Sequence, residues 1–122
     1  MLEIRVDAGA TSFAPGDALR GTLQWMGDRV PEAVELRLLW YTEGRGDQDV
    51  GVARTLRIEA PAAVGSSPFE LEAPSGPYSC SGQLISIRWA LEAVAKPGKE
   101  TARTELVLAP GGREVQLGSP AA

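Results

Sequence analysis

Hydrophobic and polar residues alternate with a period of two along most of the chain. The first run, LEIRV, places Leu2, Ile4 and Val6 on one side and Glu3 and Arg5 on the other. Such alternation is typical of a strand with one buried face. Further strands are predicted over residues 18–25, 33–42, 52–59, 68–73, 83–95 and 102–109, with a short last strand at 113–117.

Two of these segments leave a helix open as an alternative. Pro31 and Glu32 could begin a helix over 33–42, because proline and an acidic residue are favoured in a first turn. The second half of 83–95, WALEAVA, contains good helix formers. The unbroken alternation favours a strand in both places.

The stretch FAPGDALRGTL shows how turn chemistry leads into a strand. Pro15 sets φ at the second position of a turn, and Gly16 accepts the positive φ that follows in a type II turn. Asp17 can close the turn by accepting a hydrogen bond from a backbone N–H. Gly21 lies inside the following strand, where glycine marks a bulge or a close approach by another backbone. About seven strands separated by such turns predict an all-β fold, an antiparallel β-sandwich of immunoglobulin-like architecture.

Segment 52–59 departs from strict alternation. Val52, Leu56 and Ile58 are predicted to face the core, and Arg54 falls on the same face as an exception. The segment PAAVGSS that follows it is predicted to be a loop, since it combines proline, glycine and serine.

Composition and charge narrow the class of protein. The 122 residues predict one domain, 1–117, followed by a frayed tail, 118–122. The net charge of −4 and the lack of a basic cluster argue against nucleic-acid binding. No apolar run approaches the roughly 20 residues that a membrane span needs. A single cysteine, Cys80, and no secretory signal predict a cytoplasmic location.

Candidate chemistry is sparse. The chain has no histidine, which removes Ser-His-Asp and Cys-His arrangements and the commonest metal ligand. Cys80 has no candidate base beside it in the sequence and is expected to be an inert small side chain. We therefore expect no catalytic residues and no cofactor, and we predict that the protein is not an enzyme.

Three short motifs carry little weight. Glu43, Asp47 and Asp49 fall in one loop that lacks the spacing of an EF-hand, so a solvated loop is favoured over a metal site. The tripeptide Arg-Gly-Asp at 45–47 spells an adhesion motif without an extracellular signal. The glycine pair at 111–112 is too short for a phosphate-binding loop.

Three segments together resemble the arrestin-like β-sandwich clan. In order they are FAPGDALRGTLQW, AVELRLLWYTEG and PFELEAPSGPYSCSGQLISIRWALEAVA, and the resemblance extends over roughly residues 1–110. The clan includes arrestins, a retromer subunit and bacterial sporulation-control proteins, and usually has two sandwiches in tandem. The chain is similar to the first of these, without the charged core of true arrestins. The resemblance implies a non-enzymatic adaptor or scaffold that binds protein.

A single sandwich leaves strand edges that a partner can extend through main-chain hydrogen bonds. The LEIRV segment has no proline, so Leu2, Ile4 and Val6 are predicted as partner-binding edge residues, and ELVLA at 105–109 is a second proline-free edge. We expect a protein partner and a homodimer in which one edge pairs with its own copy.

The alternative function is a carbohydrate- or small-ligand-binding sandwich that uses exposed aromatic rings. Trp25, Trp40 and Trp89 all fall on faces assigned to the core, which favours packing over a sugar-binding platform.

Overall fold

The computed structural model describes residues 1–27, 30–44, 48–59, 62–82, 85–97, 100–110 and 115–116. In chain order the strands are β1 Leu2–Val6, β2 Ser12–Phe13, β3 Ala18–Met26, β4 Ala33–Gly44, β5 Val50–Glu59, β6 Val64–Glu72, β7 Cys80–Ser81, β8 Ile85–Lys96, β9 Thr101–Leu108 and β10 Val115–Gln116. A 3-10 turn at Asp7–Gly9 joins β1 to β2. Within these ranges there is no α-helix, so the all-β prediction is confirmed.

The strands form two sheets that enclose one core. The small sheet is antiparallel and has the order β1-β3-β6. In the large sheet β5, β4, β8 and β9 follow one another in antiparallel pairs. The short strands β7, β10 and β2 extend this sheet at its far end. Among the described residues seven strands have five or more residues, which agrees with the predicted number of about seven, and three have only two residues.

The prediction of a purely antiparallel sandwich is wrong, because two of the pairings are parallel. β2 runs parallel to β9, and β10 runs parallel to β7. The chain leaves β1 in the small sheet, turns through Asp7–Gly9 and joins the large sheet in the same direction as β9. Alternation within a segment reports its buried face and says nothing about the direction of a distant neighbour, so the sequence could not predict this.

The core lies between the two sheets and comes from the inward residues of the long strands. The largest fully buried side chains include Leu19, Leu23, Val34, Leu36, Trp89 and Leu91. Both segments for which a helix was open, in β4 and in β8, are strands over their whole length. Burying one face against the opposite sheet outweighs the helix propensity of WALEAVA.

The turn before β3 has the predicted geometry. Gly16 has φ of +86°, and the Asp17 amide donates to the Ala14 carbonyl oxygen over 3.0 Å. The Asp17 carboxylate in turn accepts a hydrogen bond from the Ala14 amide over 2.9 Å. The predicted close approach at Gly21 is also present, because a Cβ there would overlap the Arg5 carbonyl oxygen of β1.

A β-bulge explains the irregular pattern of β5. Leu38 lies opposite Arg54, while Leu39 lies opposite Val52, so Ala53 is an extra residue in the strand. The extra residue reverses the phase of the alternation. The predicted inward position of Val52 is therefore wrong, since Val52 is on the solvent face and 52% exposed.

The loop predicted between β5 and β6 is shorter than expected. β6 begins at Val64, within the segment assigned to a loop, and continues through Pro68. Proline is tolerated in this strand because β6 is at the edge of the small sheet.

Candidate functional site

The sandwich has two long sides where strand edges lie. We call the side formed by β1 and β9 the closed side and the side formed by β5 and β6 the open side. On the closed side β1 packs near β8 and β9. The Met1 ammonium lies 2.8 Å from the Glu100 carboxylate, just before β9. On the open side the extensive contacts of β5 are with β4.

The predicted edge residues are on the closed side. The Met26 amide donates to the Met1 carbonyl oxygen over 2.8 Å, which sets the alternation of the β1–β3 ladder. Successive residues of an antiparallel strand direct their main-chain groups to opposite edges. The N–H and C=O groups of Leu2, Ile4 and Val6 therefore point away from β3, while their half-buried side chains pack against the core. That these residues bind a partner stays a prediction.

The second predicted edge, ELVLA in β9, is partly covered. The Val107 amide donates to the Thr11 carbonyl oxygen over 2.8 Å, and the Ala109 amide donates to Phe13 over 3.0 Å. The short strand β2 thus occupies the end of this edge. The prediction that ELVLA at 105–109 is a free edge is wrong at Val107, because the Val107 amide is already used within the chain.

The β6 edge of the open side is protected against pairing. The Gly27 amide donates to the Ala63 carbonyl oxygen over 3.1 Å, so the outward residues of β6 are Val64, Ser66, Pro68, Glu70 and Glu72. Proline at the middle of this row lacks the N–H that an added strand would need. A proline and charged side chains on an edge are devices that prevent edge-to-edge association.

The β5 edge has no proline over its ten residues. The Thr42 amide donates to the Asp49 carbonyl oxygen over 3.0 Å, which sets the alternation of the β4–β5 ladder. The main-chain groups that point away from β4 are then those of Val50, Val52, Thr55, Arg57 and Glu59. Within the described part of the chain, β4 is the only strand that pairs with β5.

Arg54 is unusual among the described arginines. It lies one residue beyond the bulge, opposite the buried Leu38, on the side of β5 that faces the small sheet. Its guanidinium donates to the adjacent Ala53 carbonyl oxygen over 3.0 Å. Every other arginine that the structure describes has a carboxylate within 4.0 Å, whereas Arg54 has none among the described residues. The only sign of this in the sequence is that Arg54 interrupts the apolar face of its strand.

The outer face of the large sheet holds a charged cluster around Glu35. This carboxylate is only 8% exposed and accepts hydrogen bonds from Arg37 and Arg57, each over 2.7 Å. The Lys96 ammonium lies 3.2 Å away. The hydrogen bonds from Arg37, Arg57 and Lys96, in that order, lower the pKa of Glu35 to about 2. Because these cations come from β4, β5 and β8, the cluster ties the open-side strand β5 to the middle of the sheet.

A second polar group lies further along the same face. The Tyr41 hydroxyl donates to the Glu105 carboxylate over 2.9 Å, and the Arg103 guanidinium lies 4.5 Å from the Tyr41 ring centroid. Burial, followed by the Glu105 carboxylate, raises the pKa of Tyr41. The charged groups of Glu105 and Arg103 already have partners within the protein, so this part of the face offers no unpaired charge to a ligand.

The tryptophans do not form an exposed platform. Trp89 is 1% exposed, and its Nε1 donates to the Pro77 carbonyl oxygen over 2.6 Å. Trp25 is buried and donates to the Ala62 carbonyl oxygen over 2.8 Å. Trp40 is half-buried against the core. A sugar-binding surface needs open ring faces, so this geometry gives the carbohydrate-binding alternative no support at Trp25 or Trp89.

Other candidates from the sequence are separate from these edges. Cys80 is buried in β7. The described residues contain no group of three or more side chains from His, Cys, Asp and Glu that could hold a metal ion. Asp47, the Arg-Gly-Asp tripeptide, the glycine pair at 111–112 and the tail 118–122 lie outside the described residues. Among the described residues no helix has the length and apolarity to cross a membrane.

One end of the sandwich carries a groove of about 620 Å³. Trp25 is part of its lining, and the exposed side chains of Met1, Met26 and Val30 surround it. Lys96 and Glu100 add charge to its rim, and both already form ion pairs.

The two sheets, their order and their connections define an arrestin-like β-sandwich, as the likeness to a solved structure shows. That structure is the sporulation control protein Spo0M from Bacillus subtilis, with a TM-score of 0.63 at 12% sequence identity. The match covers 89% of this chain and 49% of the other, so the chain spans about half the length of that protein. No protein-family model and no curated protein sequence matches the chain.

Proposed function

We propose that the chain is a non-enzymatic adaptor or scaffold module that binds protein through the edge strands of its sandwich. The observation that carries the proposal is the presence of edge main-chain groups that point away from their sheet, on β1 and on β5. Such groups recruit an extended segment of another chain, which adds as a further strand. The likeness to a sporulation control protein fits a regulatory role without naming a partner.

In this proposal Leu2, Ile4 and Val6 form one partner-binding edge, and a second copy of the chain is its first candidate occupant. Two β1 strands paired antiparallel about a two-fold axis would give a homodimer. Light scattering on a size-exclusion column is expected to give twice the 12.9 kDa chain mass. Leu2→Pro removes an outward donor at the start of the strand and is expected to restore the monomer, while Leu2→Ala retains the dimer. A monomer at all concentrations would contradict the homodimer.

The adaptor role is tested separately from the dimer. Affinity capture from cells is carried out with the wild type and with a proline variant of each edge. The wild type is expected to recover a partner protein, and the variant of one edge is expected to lose it. Arg20→Gln, on the outer face of the small sheet, is the matched control and is expected to leave capture unchanged. Recovery of the same partner by both proline variants would contradict edge binding.

We also propose a cytoplasmic location. The support is the single buried Cys80, which excludes a disulfide within the chain and fits a reducing compartment. Fluorescence microscopy of a tagged protein tests the location, and a signal outside the cytoplasm would contradict it.

A further inference from the structure

We propose that β5 is a binding edge for an extended peptide segment that carries a carboxylate among apolar residues, and that Arg54 pairs with that carboxylate. This inference rests on the proposed function and specifies the edge and the chemistry of the partner. Three observations support it: the main-chain groups of β5, the side chains around them, and the charge of Arg54, which has no carboxylate beside it in the described part of the chain.

The main-chain groups make β5 the better of the two edges on the open side. Val50, Val52 and Thr55 direct N–H and C=O groups away from β4. On β6 the corresponding row contains Pro68 and two glutamates, which discourage pairing. A row of unpaired groups on a strand without proline is a template for a further strand. An added segment would therefore pair with β5 rather than with β6.

The side chains of β5 define what such a segment would contact. Val50 and Val52 are 65% and 52% exposed on the outer face. On the inner face Leu56 and Ile58 are only partly buried against the core. A strand beside β5 would place alternate residues over these two pairs. Apolar residues on its inner face would complete the burial of Leu56 and Ile58.

The charge of Arg54 indicates that the bound segment also carries an acidic residue. Arg54 lies on the inner side of the edge strand and is half-buried, and no carboxylate of the described residues lies within 4.0 Å of its guanidinium. A carboxylate on the added strand would give it a charge-assisted hydrogen bond. The partner therefore carries an aspartate or glutamate on the same face as its apolar residues.

A second copy of β5 does not supply this carboxylate. When two edge strands pair antiparallel about a two-fold axis perpendicular to the sheet, residues of the same face lie opposite each other. The inner face of β5 offers Arg54, Leu56 and Ile58, and its acidic residue, Glu59, is on the outer face. Self-pairing would thus leave Arg54 without an acidic partner, so the occupant is a segment of a different sequence.

The test uses two short blocked peptides that alternate valine with threonine. One carries a central glutamate in the valine row, and the other carries glutamine there. Fluorescence anisotropy is expected to show that the glutamate peptide binds about fivefold more tightly than the glutamine peptide. Arg54→Gln is expected to remove this difference without weakening the glutamine peptide, and the control Arg20→Gln is expected to preserve it. Equal binding of the two peptides to the wild type, or no binding of the glutamate peptide, would overturn the proposal.

The edge is tested through the main chain. Val52→Pro removes an outward N–H and is expected to weaken both peptides about tenfold or more, while Val52→Ala keeps the N–H and retains binding. Because a proline variant can fail to fold, a glutamate peptide whose β5-facing amides are N-methylated provides a second measurement and is expected not to bind.

Changes in amide chemical shift on addition of the glutamate peptide show which edge the peptide contacts, and so test this proposal separately from the proposed function. Peptide-induced shifts on β5 support it. Shifts confined to β1 would overturn β5 as the edge and leave edge binding intact, whereas shifts on neither edge would overturn both.

Discussion

The two sides of the sandwich differ in how completely the chain uses its own strand edges. On the closed side the N-terminal segment passes from the small sheet to the large one, and the Val107 and Ala109 amides donate to carbonyl oxygens in or next to β2. The outward groups of β1 remain on this side without a strand partner in the described residues. On the open side β5 and β6 end their sheets with main-chain groups that point outward. One of these edges contains Pro68 and the other contains no proline. An edge protected within the chain serves stability, and an edge left free is available for binding.

The largest expected effect contrasts two glycines. At Gly21, in the middle strand β3 of the small sheet, a Cβ would overlap the Arg5 carbonyl oxygen of β1 and lie 2.6 Å from Cζ of Phe69. Gly21→Ala is expected to lower the free energy of unfolding by about 4 kcal/mol, because a backbone oxygen in a ladder cannot move aside. At Gly51 the overlap is with the ring of the half-buried Trp40, a side chain rather than a ladder oxygen, so Gly51→Ala is expected to cost less, about 1 kcal/mol. Denaturant unfolding measures both, and equal losses would contradict the distinction between a glycine packed against a backbone oxygen and one packed against a side chain.

The same substitution on both sides gives the next effect. Val107→Pro removes the donor to Thr11 and is expected to cost about 3 kcal/mol. Val52→Pro removes an N–H that has no partner in the β4–β5 ladder and is expected to cost less than about 1 kcal/mol. Thermal and denaturant unfolding of both variants compares them. A loss at Val52 as large as at Val107 would mean that the β5 edge is already paired.

Acid is expected to weaken the attachment of β5. The pKa of Glu35 is about 2 in the folded chain and about 4.3 when unfolded, so its stabilisation is present above pH 4.3 and is lost as pH falls toward 2. The loss is expected to be on the order of 2 kcal/mol. Because other carboxylates also titrate, the measurement is the difference between the wild type and Glu35→Gln across pH 2–6. A constant difference over that range would contradict the assigned role of Glu35.

The smallest expected effect concerns single amides. Hydrogen exchange monitored by NMR is expected to be slow at Val107, whose amide is bonded to Thr11, and fast at Val52 and Thr55, whose amides point outward from β5. Addition of a peptide that binds β5 is expected to slow exchange at these two amides and leave Val107 unchanged. Slow exchange at Val52 in the free protein would contradict an open edge.

Alternation was sufficient to predict the long strands and much of the core. Leu19, Leu23 and Leu36 are buried as their positions predict, and the Pro15–Gly16 turn has the expected conformation. These features depend on neighbouring residues, which a single sequence contains. The start of β6 at Val64 was missed because its glycine and serines resemble loop composition.

The candidate site could be predicted less well. The bulge at Ala53 adds one residue without altering composition, and it moved Val52 from the predicted core face to solvent. In the sequence, the only irregularity of this segment is Arg54, which falls on its otherwise apolar face. The protection of Val107 depends on β2, which is nearly a hundred residues away in the chain, and no local pattern reports such a pairing.

The sheet-crossing N-terminal segment also has a mechanical consequence. β1 is bonded to β3 in the small sheet, and the chain continues through the turn at Asp7–Gly9 into β2, which is bonded to β9 in the large sheet. Hydrogen bonds of an antiparallel ladder lie perpendicular to the strands. A pull on this segment along the strand axis therefore loads the β1–β3 bonds in shear, so that they share the force instead of breaking one at a time. A load applied across β5, perpendicular to its axis, would instead break its hydrogen bonds to β4 one at a time, so the resistance of the sandwich depends on the direction of the force.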